Sequence, residues 1–308
     1  MNFPLELWGL TDDVPITAWG GKQFLSMKEF RLIKEGQASV QYGPMFLVVT
    51  VYDIHGPNTP LALEGVKKGT QVFDQVARYK QVVFQNICKV REGPNYPDVV
   101  NHMIQSVARL DDPTFTPMAA VAGCIADKVA DFLVEKGGQK VVVDNGGDIA
   151  IRLGNKESIV VGIRTALASH HIRCKVTLFK SDGIGGVATS GLGGHSFTKG
   201  IATAATAFAE NAGYADAAAT FIGNRTNIED PAIERRPAEQ INPLTDIPGH
   251  LVTYRVGTLS REKRLRALQN GLEAAELLRT RRAIQDALIA IQEDIFMTEG
   301  LRERIIYC

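Results

Sequence analysis

Much of what would make this sequence easy to assign is missing from it. Among 308 residues there are only four cysteines, at 88, 124, 174 and 308. They form no CxxC pair and no zinc-type spacing, which excludes a disulfide scaffold and a structural zinc ribbon and suits free thiols in a reducing setting. No run approaches the ~18 apolar residues that a membrane span needs, so no membrane partner is expected. The first twenty-one residues carry no basic leader, and a cytoplasmic protein is expected. Lys plus Arg and Asp plus Glu are both 34, giving zero net charge. That balance argues against nucleic acid or an acidic lipid surface as the main partner. What is present is a globular composition, 45% hydrophobic and 22% charged, in a chain long enough for one large or two ordinary domains.

The pattern along the chain alternates hairpin and helix signals. Residues 28–54 read as an antiparallel hairpin or meander, broken by Gly36 and Gly43-Pro44. Residues 61–87 and 99–110 read as helices. The clearest helix is 116–137, where Thr116 caps, Pro117 suits the first turn and Gly137-Gly138 stops it. Gly123 inside that helix costs roughly 1 kcal/mol against Ala, so close packing or a close ligand is expected there. QKVVVDNGGDIAIRLG then reads as two strands about a turn at Asn145-Gly146-Gly147. Further strands are expected at 158–163 and 173–179, and a helix at 215–222. Residues 228–249, with several prolines, read as an irregular crossover. Residues 261–296 read as helical throughout, with apolar stripes at Leu265, Leu268, Leu272, Ala275 and then Ile284, Leu288, Ile291, Ile295. This divides the chain into an α+β domain over 1–258 and a helical extension over 259–308, expected to dimerise.

The stretch DGIGGVATSGLGGHSFTKG, from Asp182 to Gly200, holds seven glycines and poses the chemical question. A Walker loop needs Gly directly before Lys and Ser or Thr, but Lys199 lies between Thr198 and Gly200. A dinucleotide fingerprint fails at Ser196, and Ser190 lacks the flanking glycines of a hydrolase elbow. Thr189 and Ser190, with the amides of Gly191, Gly193 and Gly194, can form an anion-binding concavity; turns between strands would use the same glycines. His195 is the candidate catalytic histidine. His170, His171 and Cys174 sit where a strand sends neighbours to opposite faces, which argues against a shared metal. Asp216 and Thr220, four apart on a helix, share one face and are hard oxygen donors suited to Mg²⁺. A helix-start aspartate beside an inward-packed threonine would look the same.

Taken in order, AGCIADKVADFLVEKGGQKVVVDNGGDIAIRLG, GGVATSG and YADAAATFIGN resemble the ApbE-like superfamily, Mg²⁺-dependent transferases that attach the FMN half of FAD to threonine or serine. The TPMAAVAG segment resembles an uncharacterised cytoplasmic branch of it. The resemblance covers about 116–224. It implies an α+β, T-fold-like architecture of antiparallel sheets with packed helices. It also implies flavin contacts from Thr116, Met118, Gly123, Asn145, Gly146, Gly147, Asp148, Thr189, Ser190 and Gly191. Asp216 and Thr220 would hold Mg²⁺, with a carbonyl near Val121 completing the site, and Asp127 matches a further family aspartate. Two features depart from the family. Ala122 stands where the transferases have lysine before the glycine, and no His-Ile-x-Asp-Pro segment follows the A-T-S-G motif. The implied ligands are FAD or FMN with Mg²⁺, and the implied partner is an acceptor or redox protein. A flavin-binding subunit without transferase chemistry and a scaffold working through its C-terminal helices stay open beside the transferase.

Overall fold

The computed structural model describes residues 28–166, 171–194 and 196–308. His170 and His195 therefore lie outside the described residues.

Strands β1 (Glu29–Lys34), β2 (Gln37–Tyr42) and β3 (Met45–Asp53) form the expected meander. Helix α1 (Thr59–Arg78) follows, capped by the Asn58 side chain on the Leu61 amide and opened by Pro60. Helix α2 (Asp98–Ala108) and helix α3 (Val121–Glu135) come next. Thr116 caps as expected, but it caps a short 3₁₀ turn over Pro117–Ala120 that leads into α3. Strands β4 (Lys140–Asn145) and β5 (Asp148–Leu153) make the hairpin, with Asn145 paired to Asp148. Gly146 and Gly147 both have positive φ, 69° and 104°, which a two-residue hairpin turn of this hand requires.

Strands β6 (Ser158–Arg164) and β7 (Ile172–Phe179) pair with each other, and β8 (Gly186–Ser190) and β9 (Ala204–Ala209) return to the main sheet. Helix α4 (Ala212–Arg225) is longer than the expected 215–222 because Asn211 caps it on the Tyr214 amide. The proline-rich region is more ordered than a crossover loop. It holds β10 (Ile233–Pro237), which pairs with β11 (Leu251–Val256).

The C-terminal expectation needs correction. Helix α5 spans Arg261–Thr280 only. The second stripe, Ile284 to Ile295, runs instead through strands β12 (Asp286–Ile291) and β13 (Asp294–Met297), and β14 (Ile305–Tyr307) follows. Strand β12 is buried along its whole length, so its apolar run shows no alternation, and short runs of that kind suit either period. The first stripe is spent inside the chain: Leu268 and Ala275 are buried in the core, with Leu265 and Leu272 packed against it.

The main sheet is ordered β1-β2-β3-β4-β5-β8-β9-β12-β13, with Gly56–Pro57 as a tenth short strand on β3. All its described pairs are antiparallel. The helices cover one face, burying Val141, Val143, Ala205, Ala207 and Ile289. A three-stranded sheet, β14-β7-β6, belongs to the core on the other face, with Val142, Ile151, Phe208 and Leu288. Two covered faces make this an α+β unit of three layers. No helix among the described residues is long and apolar enough to cross a membrane.

Candidate functional site

Helix α4 is the piece that organises the candidate residues. Its first amides, Ala212 and Gly213, donate to the buried Asp127 carboxylate of α3 at 3.0 and 2.8 Å. Arg152 of β5 donates to the same carboxylate at 3.0 Å, compensating a charge that is 0% exposed. Asp127 thus pins the N-terminus of α4 to α3 and the sheet. Gly123 permits the approach: a Cβ there would stand 2.2 Å from the Ala212 carbonyl oxygen. Gly186 does the same on the other side, where a Cβ would meet the Ala212 nitrogen at 2.2 Å. Several glycines of the sequence motifs therefore serve backbone-to-backbone contact around the start of α4.

One turn into α4, Asp216 accepts from the Gly123 amide at 3.0 Å and also from the Ala122 amide. Asp148, at the end of the hairpin turn, accepts from the Thr189 amide. Asp144 accepts from Gly147 N at 2.8 Å and braces the turn. Asn145 donates to the Ala122 carbonyl at 3.1 Å, tying the turn to the start of α3. Burial pushes Asp216 up to about 7, opposed by the two amides and raised further by Asp127. Burial lifts Asp148 well above its usual range, and the charges of Asp216 and Asp144 add to that. Asp144 is raised by burial as well. Asp148 thus takes the repulsion of both Asp216 and Asp144.

Around them the structure collects several residues singled out from the sequence. Thr189 shares a hydroxyl hydrogen bond of 2.9 Å with Thr206 across β8 and β9. Ser190 is 6% exposed, and its hydroxyl has no hydrogen-bond partner among the described residues. Side chains added at Gly146 or Gly147 would meet open space, so the turn faces outward. Thr220, buried, follows Asp216 by one helical turn on the same face. Thr116 and Met118 are occupied otherwise: the Thr116 hydroxyl caps the Met118 amide and donates to Asp246, and Met118 packs against the core. Gly191 sits where a Cβ would press on the Ala202 carbonyl at 2.9 Å. Cys174 is buried and Cys88 and Cys308 are exposed, all as free thiols. Among the described residues no group of three or more His, Cys, Asp or Glu side chains is placed to hold a metal ion. A cation here would need the Thr220 hydroxyl, backbone oxygen and ligand oxygens beside Asp216.

Sequence reasoning missed Asp144, although it adjoins the Asn-Gly-Gly-Asp turn and makes a third carboxylate legible. It also missed Arg152, Asp246 and His102, whose partners lie far along the chain. His102 stands 3.9 Å from Asp127 and lines, with Lys128, Arg152 and Tyr214, a polar cleft of about 570 Å³.

A family model described as "AbpE bacteria" matches residues 30–297. The chain belongs to that family. A UPF0280 protein of Methanosarcina barkeri is 37% identical over 172 residues, covering 55% of this chain and 65% of that protein. One of Methanococcus vannielii is 34% identical over 189 residues, covering 58% of this chain and 74% of that protein. The chain thus spans 65%, 58% and 64% of the length of the first three curated relatives, under two thirds of each. Among solved structures, the ApbE protein of Thermotoga maritima superposes with a TM-score of 0.51 at 13% identity, over 91% of this chain and 99% of that one. That likeness is one of fold, and it places the family's architecture on this chain.

Proposed function

We propose that the chain binds a flavin nucleotide together with a divalent cation at the meeting point of α4, the β4–β5 turn and the end of β8. The observation that carries this reading is the buried hydroxyl of Ser190, left without a partner beside Thr189, whose amide already serves the carboxylate cluster of Asp148 and Asp216. A buried, unsatisfied donor next to mutually repelling carboxylates suits an anion and a cation arriving together. The donor set fits: Asp216 and Thr220 offer hard oxygens on one helical face, and phosphate oxygens complete such sites. A divalent cation bound there supplies charge neutralisation to a pyrophosphate. The Gly123 and Ala122 amides fix the Asp216 carboxylate, Ser190 donates to a phosphate oxygen, and the open Gly146-Gly147 turn leaves room for the ligand. In FMN transfer, the acceptor hydroxyl oxygen bonds to the FMN phosphorus while the bridging bond to AMP breaks. His195 is the candidate to take the acceptor proton.

The test is thermal unfolding with FAD and Mg²⁺. The parent is expected to gain stability that Asp216→Ala and Ser190→Val both lose. No shift with FAD, FMN or Mg²⁺ in the parent sinks the reading. Release of AMP in the presence of a serine or threonine acceptor separates the transferase from its alternative. Ala122, where the transferases have lysine, favours that alternative: a flavin-binding subunit that performs no transfer. A bound flavin with no AMP release is its signature.

A further inference from the structure

The glycine-rich stretch ends in Thr198-Lys199-Gly200, a lysine between a hydroxyl and a glycine that no phosphate-loop pattern explains. Its backbone is held with unusual completeness. The Lys199 amide donates to Asn224 Oδ1 at 2.7 Å, and the Gly200 amide donates to Thr198 Oγ1 at 3.2 Å. The next two amides, Ile201 and Ala202, both donate to Thr226 Oγ1 at 2.9 Å. Only glycine fits at 200, where a Cβ would stand 1.9 Å from the Gly223 carbonyl oxygen. On the other side, Thr253 of β11 donates its amide to the Thr198 carbonyl at 2.8 Å. Thr253 is 8% exposed, and its own hydroxyl has no hydrogen-bond partner among the described residues.

The side chain so presented is poorly matched. Lys199 is half-buried, and among the described residues its ammonium makes one hydrogen bond, to the neutral hydroxyl of Thr114 at 3.2 Å, and lies 6.0 Å from the centre of the Phe115 ring. It makes no ion pair within 4.0 Å among the described residues. The charges of Asp112 and Asp246 favour the ammonium from beyond ion-pair distance, but Asp112 is bound by Arg225 at 3.0 Å and Asp246 accepts from Thr116. Burial lowers the Lys199 ammonium from its ordinary range, as it lowers the neighbouring His250 imidazole, which Lys199 lowers further. A rigid backbone that offers a half-desolvated cation without a carboxylate costs stability unless an anion arrives.

Its place relative to the candidate site is fixed by α4. Asp216, Thr220 and Asn224 recur at four-residue spacing and form one stripe, and Asn224 is the residue that holds Lys199. Eight residues of helix put Asn224 about 12 Å along the axis from Asp216. We infer that Lys199 is an anion-binding residue beside the last turn of α4, recognising a phosphate or carboxylate group at the Asn224 end of this stripe, about 12 Å along the axis from Asp216 and about 6 Å from Thr220. The inference rests on reading the Asp216 end of this stripe as a nucleotide site. The anion belongs either to the nucleotide or to a second ligand beside it.

The experiment uses the full chain and inorganic pyrophosphate as probe, with FMN and FAD plus Mg²⁺ as separate arms. Acylation of Lys199 by an amine reagent is followed by mass spectrometry, and binding is followed by calorimetry. Pyrophosphate is expected to slow Lys199 labelling several-fold. Lys199→Met should weaken pyrophosphate binding about tenfold, and Lys199→Arg should recover most of it, with an unchanged circular dichroism spectrum for both. Unchanged labelling at high pyrophosphate, or equal affinity in Lys199→Met, overturns the inference. Protection by FMN or FAD assigns the anion to the nucleotide; protection by pyrophosphate on top of bound FAD assigns it to a second ligand. If pyrophosphate protects Lys199 while FAD never binds, the inference stands and the flavin reading falls. If FAD binds in an Asp216-dependent way while Lys199 is indifferent to every anion, the reverse holds.

Discussion

Replacing Asp216 by asparagine should stabilise the protein in the absence of metal and ligand. The Asp216 carboxyl, ordinarily at 3.8, is pushed up to about 7, chiefly by burial. Between those two values the folded state holds a proton that the unfolded chain releases, so stability falls as pH rises through this window. A shift of about 3 units at about 1.4 kcal/mol each sets a ceiling of about 4 kcal/mol above pH 7. Asp148 and Asp144 share the repulsion and readjust, and asparagine must place its own amide, so about 2 kcal/mol is the expected gain at pH 8. That corresponds to about 3 °C in Tm for a chain of 308 residues. The asparagine oxygen can still accept from Gly123, so the local frame survives. At pH 5 only about a third of the effect should remain, because the folded carboxyl is then already protonated. Urea unfolding of parent and variant at pH 5 and pH 8, with chelator present, measures this. A variant no more stable than the parent at pH 8, or equally stabilised at both pH values, would refute the electrostatic account. Adding Mg²⁺ with FAD should reverse the order, since only the parent has the anionic oxygen to offer.

Other outcomes follow from the packing around α4. Gly123→Ala forces a methyl onto the Ala212 carbonyl at 2.2 Å and should cost about 2–3 kcal/mol in urea unfolding, with a matching loss of FAD affinity. Asp127→Asn removes the buried one of the two carboxylates that pair with Arg152, leaving Asp131, and should cost about 2–3 kcal/mol, with hydrogen exchange accelerated at Ala212 and Gly213. Thr226→Val removes the acceptor of the Ile201 and Ala202 amides and should cost about 2 kcal/mol or more. Burial holds the His102 imidazole below its ordinary 6.5, so the protein should lose stability as pH falls below about 6.5, and His102→Gln should flatten that slope.

What could be read from the sequence was what local chemistry decides. The Asn145-Gly146-Gly147 turn declares itself because two consecutive residues must take positive φ, and only glycine does so freely. The pairing of Asp216 with Thr220 is legible from helical spacing alone. The environment of that pair was not, because the Gly123 amide and the Asp148 carboxylate come from segments about ninety and seventy residues upstream. Strand β12 was misread for a related reason. Covered by helices on one face and the small sheet on the other, Ala287 to Ile291 are apolar at every position, and nothing in so short a run distinguishes two-residue from four-residue periodicity.

The position of β12 also has a consequence for how the protein is made. Strand β9 pairs with β8 on one side and with β12 on the other, and β12 begins at Asp286. While the chain is being synthesised, β9 keeps an open edge of apolar residues until β12, about eighty residues further along, leaves the ribosome. Thr189 and Ser190 lie one strand away from that edge, so their strand gains its full backing only once β12 has been made. Cells that lack a means of shielding the β9 edge during that interval should accumulate aggregated nascent chain rather than folded protein.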